Sequence, residues 1–318
     1  MRADLLHVIT VIFNPIQWGT RTAHYERFKE HMLASGVRLY VVECAFGKRP
    51  FVLDNDSRIV HIPVRANTLA WNKENLGNIA LQRLPHDAEY IGLFDADIMF
   101  NDPNWAAKTV DALQQYPVVQ PWGEALDLGP DGSVMFVKGR HVQTSFAKVW
   151  RHQGDIKPMK NADPLNPYAY PHPGYAWAYR RELLEATGGF IEVSGLGAGD
   201  HQMAMSFVGK IDNAIHGQTH QSYQDAIRAW GERAFRAVGG KLGYVAGRIE
   251  HLFHGDKEKR MYHDRWQILI KHGFNPLTDI RKNMYGVIEL AGNKPAMEMD
   301  FDRYMRQRDE DQNCLGGH

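Results

Sequence analysis

The chain has 318 residues, enough for one large domain or two closely joined ones with an ample core. Apolar residues make up 44% and charged residues 23%, the balance of an ordinary soluble globular enzyme, which excludes a disordered chain. Lysine plus arginine equals aspartate plus glutamate at 37 each, so no overall field draws the molecule to nucleic acid or membrane; only a local basic patch could do so.

The N-terminal MRADLLHVITVIFNP carries Asp4 beside Arg2, lacks a small-residue cleavage site and is broken by His7 and Thr10, so it does not read as a signal peptide. Instead LHVITVIF predicts a first buried strand, ended by Asn14 and Pro15. RTAHYERFKEHMLAS has helical spacing, with Tyr25, Phe28, Met32 and Leu33 on one stripe and Gly36 as a stop. VRLYVVECAF and RIVHIPV read as the second and third strands, NKENLGNIALQRLP as a helix from near Asn72 to Pro85, and EYIGLFDADIMF as the next strand. Such alternation implies a mostly parallel sheet covered by helices, whose ligands bind beyond the C-terminal strand ends. PNWAAKTVDALQQY reads as a helix opened by Pro103. Residues 117–174, rich in proline, glycine and aromatics, show little periodicity and read as a long functional loop. AWAYRRELLEATGGF predicts a strand running into a helix closed by Gly188 and Gly189. HQMAMSFVGKI and QSYQDAIRAWGERAFRAVG follow as helices, and KLGYVAGRIEHLFHG as a last strand ending in two histidines. From Asp256 the tail carries one helix-like stretch, MYHDRWQILIKHGF, and ends in polar residues expected to fray. No run reaches bilayer length, and Cys44 and Cys314 cannot form a disulfide framework, so a cytoplasmic protein is expected.

Asp95 and Asp97 close an otherwise apolar strand. On an extended segment carboxylates at i and i+2 point to the same side, and two anions held together repel unless a cation or proton lies between them. The alternative is an ordinary strand end with both acids solvated. A strand-end DxD suits Mg²⁺ or Mn²⁺ that also holds a diphosphate. His251 and His254 stand three apart at another strand end; imidazole is a good ligand, although a pair among 16 histidines arises readily by chance. With one aspartate such a pair could equally hold zinc. Gly195, Gly197 and Gly199 form a loop able to bring backbone close to a ligand, and Asp200 begins the following helix. Asp200 could be an N-cap, but a cap needs no glycine-rich approach. Asn14, Arg21, Arg65, Asn72, Lys73 and Asn75 lie near the early strand ends, where they suit base, ribose or phosphate contacts; Arg21 and Lys73 could instead be solvated helix charges.

The ordered stretches VIFNP, NLGNIAL, LFDADIMFND, PGYAWAYRRELLEATGGF, GLGAGDHQMA and HLFHG resemble glycosyltransferases of the GT-A fold, most closely the β-galactosyltransferase group that uses UDP-sugars, over roughly residues 7–270. The resemblance implies an α/β, Rossmann-like, mostly parallel twisted sheet flanked by helices. It places a nucleotide-sugar-binding half at 1–102, an acceptor-binding and catalytic half of the same domain at 103–256, and a C-terminal helical extension and tail at 257–318. It implies Asp97 as the DxD metal ligand, Asp95 at the ribose or organising the site, His254 as the metal-binding histidine, and His251 where the family has methionine, giving a harder site. Asp200 matches the catalytic aspartate. Gly199 replaces the family's glutamate and Leu196 its tryptophan, departures that bear on the acceptor pocket. Asn14, Arg21, Arg65, Lys73, Asn75, Asp95, Gly174 and Gly197 then form the donor-binding set.

The activity so implied is metal-dependent, inverting transfer from a nucleotide-sugar donor, a UDP-sugar, to an acceptor hydroxyl, with Asp200 as general base and Mn²⁺ preferred to Mg²⁺. Residues 117–174 would close over the donor. The acceptor could be a glycan, a small molecule, a protein or a hydroxymethylated DNA base. DNA would need a cationic surface, for which Lys257, Lys259, Arg260, Arg265, Arg281 and Lys282 are candidates, with Trp150, Tyr168, Tyr170, Trp177 and Trp230 for stacking. A nucleotidyltransferase and a non-catalytic sugar- or nucleotide-binding module are the rival readings.

Overall fold

The structure, a computed structural model, describes residues 2–136, 141–156, 170–193, 195–255 and 264–311. The N-terminal half alternates as expected: β1 (Leu6–Phe13), α1 (Gly19–Ala34), β2 (Arg38–Phe46), β3 (Val60–Ala66), α2 (Lys73–Leu81) and β4 (Tyr90–Phe94). β1 is buried nearly throughout, as a central parallel strand must be. Its residues divide between the faces with period two: Ile9 and Phe13 enter the core that contains α2, and Leu6, Val8 and Ile12 the core that contains Tyr25, Phe28 and Met32 of α1.

The expected strand EYIGLFDADIMF does not run through. It breaks after Phe94, and β5 (Ile98–Phe100) belongs to a second sheet. α3 (Trp105–Leu113) and β6 (Val118–Gln120) follow. The stretch read as a structureless loop holds β7 (Glu124–Asp127), β8 (Val142–Ser145), α4 (Phe146–Gln153) and β9 (Pro171–His172); residues 137–140 and 157–169 lie outside the described residues. Those strands are short and lack clean alternation, which hid them. Next come β10 (Ala176–Arg180), α5 (Arg181–Thr187), α6 (Gly199–Phe207) and α7 (Gln221–Val238). The predicted last strand is two, β11 (Leu242–Tyr244) and β12 (Arg248–His251), one in each sheet.

The main sheet has the order β11-β6-β10-β4-β1-β2-β3, with β10 antiparallel to both neighbours and the other pairings parallel. The smaller sheet runs β5-β12-β7-β8-β9. Its registers place His251 opposite both Ile98 of β5 and Asp127 of β7.

The C-terminal segment departs from expectation. Besides α8 (Asp264–Lys271) it forms a hairpin of β13 (Ile280–Lys282) and β14 (Ile288–Leu290), then α9 (Pro295–Arg306). Val287, Leu290, Met297, Phe301, Tyr304 and Met305 are buried in the same core as α2, so this segment does not fray through residue 311. No helix among the described residues is long and apolar enough to cross a membrane.

Candidate active site

A cavity of about 250 Å³ opens at the C-terminal ends of β1 and β4. It is lined by Asp95 and Asp97, by the first turn of α2, by residues 196–200, and by His251 and His254. Strand pairing builds one wall. β5 and β12 run antiparallel, Leu252 N–H donates to the Asp97 carbonyl at 2.8 Å, and Asp97 thereby sits beside the end of β12. His254 Nε2 lies 3.0 Å and His251 Nε2 3.7 Å from Asp97 Oδ2, and the two imidazole nitrogens are 3.2 Å apart. One atom from each of the three residues falls within 4.8 Å of the others, close enough to hold one metal ion. Asp97 Oδ1 is buried without a hydrogen-bond partner.

Both imidazoles are backed by carboxylates. His251 Nδ1 is 2.8 Å from Asp127 Oδ1, which also accepts from the Tyr175 hydroxyl at 2.9 Å. His254 Nδ1 is 3.6 Å from Glu310 Oε2, a contact longer than a hydrogen bond. Burial opposes ionisation of the Asp97 carboxyl, but the two histidines outweigh it and hold the group well below the usual carboxylate range. Burial likewise opposes charge on His251, and Asp97 and Asp127 raise it.

A second cluster in the cavity is organised by Lys73. Its ammonium bridges Asp95 Oδ1 at 2.6 Å and Asp200 Oδ1 at 3.1 Å. Burial works against its charge, and Asp200, Asp95 and Glu74 more than compensate, so it stays protonated. The expectation that Asp95 and Asp97 face one shared cation from an extended segment does not hold. A turn separates them, sending Asp95 to Lys73 and Asp97 to the histidines. Asp200 is not an N-cap either: the cap position of α6 is Ala198, with no side-chain cap bond. Ala198 and Tyr175, both cavity-lining, are non-glycine residues at φ +80° and +76°, a cost of order 1–3 kcal/mol each that marks a constrained site.

Of the residues proposed for the donor, Arg21, Lys73, Asp95, Gly174 and Gly197 line the cavity. Asn14, Arg65 and Asn75 do not. Asn14 closes a local turn through both polar atoms with Trp18. Arg65 donates to the Gly47 and Arg49 carbonyls and lies over the Phe51 ring. Asn75 pins the C-terminal hairpin through Gly286 and Ile288. Arg21 is committed to Glu310 at 2.5 and 2.7 Å and to the Phe13 carbonyl at 2.6 Å. Among the aromatics offered for stacking, the indoles of Trp150, Trp177 and Trp230 donate to backbone carbonyls, and none of the three lines the cavity. Tyr168, Lys257, Lys259, Arg260 and Cys314 lie outside the described residues.

Sequence reasoning missed Glu74, Asp127, Arg308 and Glu310. Glu74 is 3% exposed, and its carboxyl occupies the space over Gly199, where an added Cβ would lie 2.1 Å from Oε1. Burial first, and Asp200 next, raise its pKa to about 8, against the pull of Lys73.

No family model matches the sequence, and no curated protein matches it. Solved structures similar to this chain include a mutant of Drosophila β1,4-galactosyltransferase 7 with manganese, UDP-Gal and xylobiose, at 13% identity over 92% of this chain and 97% of that one, TM-score 0.39. Against the catalytic domain of the same enzyme with xylobiose, identity is 16% over 66% of this chain and 61% of that one, TM-score 0.33. S. aureus TarS 1–349 with UDP-GlcNAc is 10% identical over 95% of this chain and 81% of that one, TM-score 0.41. M. tuberculosis glucosyl-3-phosphoglycerate synthase with Mn²⁺, UDP-glucose and phosphoglyceric acid is 12% identical over 84% and 76%, TM-score 0.37.

Proposed function

We propose that this chain is a divalent-metal-dependent, inverting glycosyltransferase that moves a sugar from a nucleoside-diphosphate donor, a UDP-sugar, to an acceptor hydroxyl. The observation that carries the reading is the convergence of Asp97, His251 and His254, distant in sequence, on a cavity that also holds Asp200. One carboxylate oxygen and two imidazole nitrogens suit Mn²⁺ among the ions such enzymes use, and the partnerless Asp97 Oδ1 has a lone pair to offer. The ion would neutralise charge developing on the leaving diphosphate.

The remaining work falls to side chains of the chain itself. Asp200, which lines the same cavity, would accept the proton of the acceptor hydroxyl. Lys73 would hold Asp95 and Asp200 in place through its two ion pairs. Residues 1–102 would form the donor half and 103–256 the acceptor half of one domain, with Arg308 and Glu310 entering the same cavity.

The test is release of sugar from a panel of UDP-sugars with Mn²⁺, read by chromatography, alongside Mn²⁺-dependent UDP binding. Asp97→Ala is expected to abolish both. A parent protein that binds UDP in a Mn²⁺-dependent way yet is inert across the panel would be a binding module; one that does neither overturns the reading.

A further inference from the structure

The polar stretch after α9 looks, in sequence, like a solvated end. In the structure residues 307–311 form a strap across the site. Asp311 accepts from the Gly19 and Thr20 amides at 2.9 and 3.0 Å and from the Thr20 hydroxyl at 2.7 Å, tying the strap to the start of α1. Arg308 lies over the Trp71 ring, 4.7 Å from its centre. The strap crosses the residue that follows His254. Gly255 sits at φ +82°, and a Cβ there would lie 2.8 Å from the Asp309 carbonyl and 3.0 Å from Glu310 Cα. Between these anchors Glu310 is carried inward to 0% exposure.

A carboxylate at that depth needs cationic partners. Arg21 grips it in bidentate fashion, and Arg308 donates to Oε1 at 2.8 Å. Its third neighbour is His254 Nδ1, while His254 Nε2 faces Asp97 and His251. The arrangement is similar to the one at His251, whose Nε2 faces the same point and whose Nδ1 meets Asp127 at 2.8 Å, against 3.6 Å from His254 Nδ1 to Glu310. Two imidazoles thus aim equivalent nitrogens at one place, each with a buried carboxylate behind the other nitrogen. Such outer carboxylates fix the tautomer and ring orientation of a ligating histidine. A strap serving only to cover the core would have no need to bury a charge against an imidazole.

We infer that Glu310 is a positioning residue of the metal site, delivered by the strap 307–311 to orient His254 as a ligand. The inference rests on the proposed binding of a metal by Asp97, His251 and His254. It makes ion affinity depend on a segment more than 50 residues beyond the last ligand, as the spacing of His254 and Glu310 requires.

The experiment measures the Mn²⁺ dissociation constant by calorimetry, and the melting temperature with EDTA and with Mn²⁺, for the parent, Glu310→Gln and Glu310→Asp. Glu310→Gln is expected to weaken Mn²⁺ binding roughly 10–100-fold, the usual cost of losing an outer partner, and to shrink the Mn²⁺-induced rise in melting temperature. Glu310→Asp keeps the charge for Arg21 with a shorter reach, so it should fold if Glu310→Gln does not, and should lose part of the affinity. Parent-like affinity in a folded variant, with melting lowered equally in EDTA and Mn²⁺, would make Glu310 merely structural and overturn the inference while leaving the metal site standing. A parent that takes up no Mn²⁺ would instead sink the metal reading and this inference with it.

Discussion

Replacing Glu74 by glutamine removes one titration and almost no volume, and its effect should depend on pH in a definite direction. In the folded, ligand-free protein the Glu74 carboxyl has its pKa raised to about 8, from 4.5, by burial and by the facing Asp200 carboxylate; Asp95 adds repulsion and Lys73 opposes the rise. Below the unfolded value both states hold the proton. As pH climbs from there through 8, the unfolded chain releases it and the folded chain does not. The unfolded state therefore gains, and the folded protein loses about 1.4 kcal/mol per pH unit at the limit of an isolated group. Over pH 5 to 8 that limit is about 4 kcal/mol, and the nearby Lys73 ammonium brings the realised figure lower. Glutamine stays neutral throughout. Urea unfolding in EDTA should thus find Glu74→Gln gaining on the parent as pH rises from 5.5 to 8, by about 1 kcal/mol per unit. A difference that stays flat over this range would show that Lys73 already holds Glu74 ionised, and the account of a neutral carboxyl at the site would be wrong.

Asp200→Asn should leave Mn²⁺ and UDP binding near parent values while transfer falls roughly 10²–10⁴-fold, the range for a lost general base; parent-like turnover would reduce Asp200 to a partner of Lys73. Asp127→Asn removes the charge behind His251 and should weaken Mn²⁺ binding roughly 10–100-fold in calorimetry, with the fold kept by the Tyr175 contact. Gly199→Ala places a methyl 2.1 Å from Glu74 Oε1 and 2.4 Å from its Cδ, so the buried carboxyl must move, at about 1–3 kcal/mol of stability. Most of that loss should vanish when Glu74→Ala is added, and a double-mutant cycle without coupling would refute the contact.

The parallel half of the fold was legible because β1, β2 and β4 are buried apolar runs separated by two helices, with Tyr25, Phe28 and Met32 buried on one stripe of the first. Convergence of Asp97 with the histidines was also legible as a pattern, since each sits at a strand end. What supports them was not. Asp127 lies in a four-residue strand whose alternation is too short to mark an inward face. Glu310 sits in the run RQRDED, where local composition argues for solvent, and only the path of α9 over the core turns it inward. Asn75 and Arg65 failed for the converse reason: polar residues near strand ends looked like ligand contacts, and each is consumed by backbone carbonyls of a neighbouring loop. A residue's distance along the chain from a strand end says where its backbone goes, and burial with a partner decides whether the side chain is left for a substrate.

The charges around the cavity supply the physical reason for proposing metal dependence. The carboxylates of Asp95, Asp97, Asp200 and Glu310 line it, together with the neutral carboxyl of Glu74. Lys73 is engaged with Asp95 and Asp200, Arg21 and Arg308 with Glu310, and Arg265, which also lines the cavity, lies beside Gly197 and over the Trp266 ring. A nucleoside diphosphate entering here brings further anions beside Asp97, where repulsion in a half-buried site is costly. Protonating Asp97 would relieve that repulsion, but the two imidazoles hold its carboxyl well below the usual range. Displacing Lys73 towards the phosphates would leave Asp95 and Asp200 facing each other with Glu74 close by. Asp97, His251 and His254 would hold a divalent cation whose positive charge would offset that repulsion, and Lys73 would then stay between its two carboxylates. The same accounting predicts that UDP alone binds poorly in EDTA, and tight EDTA-resistant binding would mean that a side-chain cation such as Lys73 or Arg265, and not a metal, meets the diphosphate.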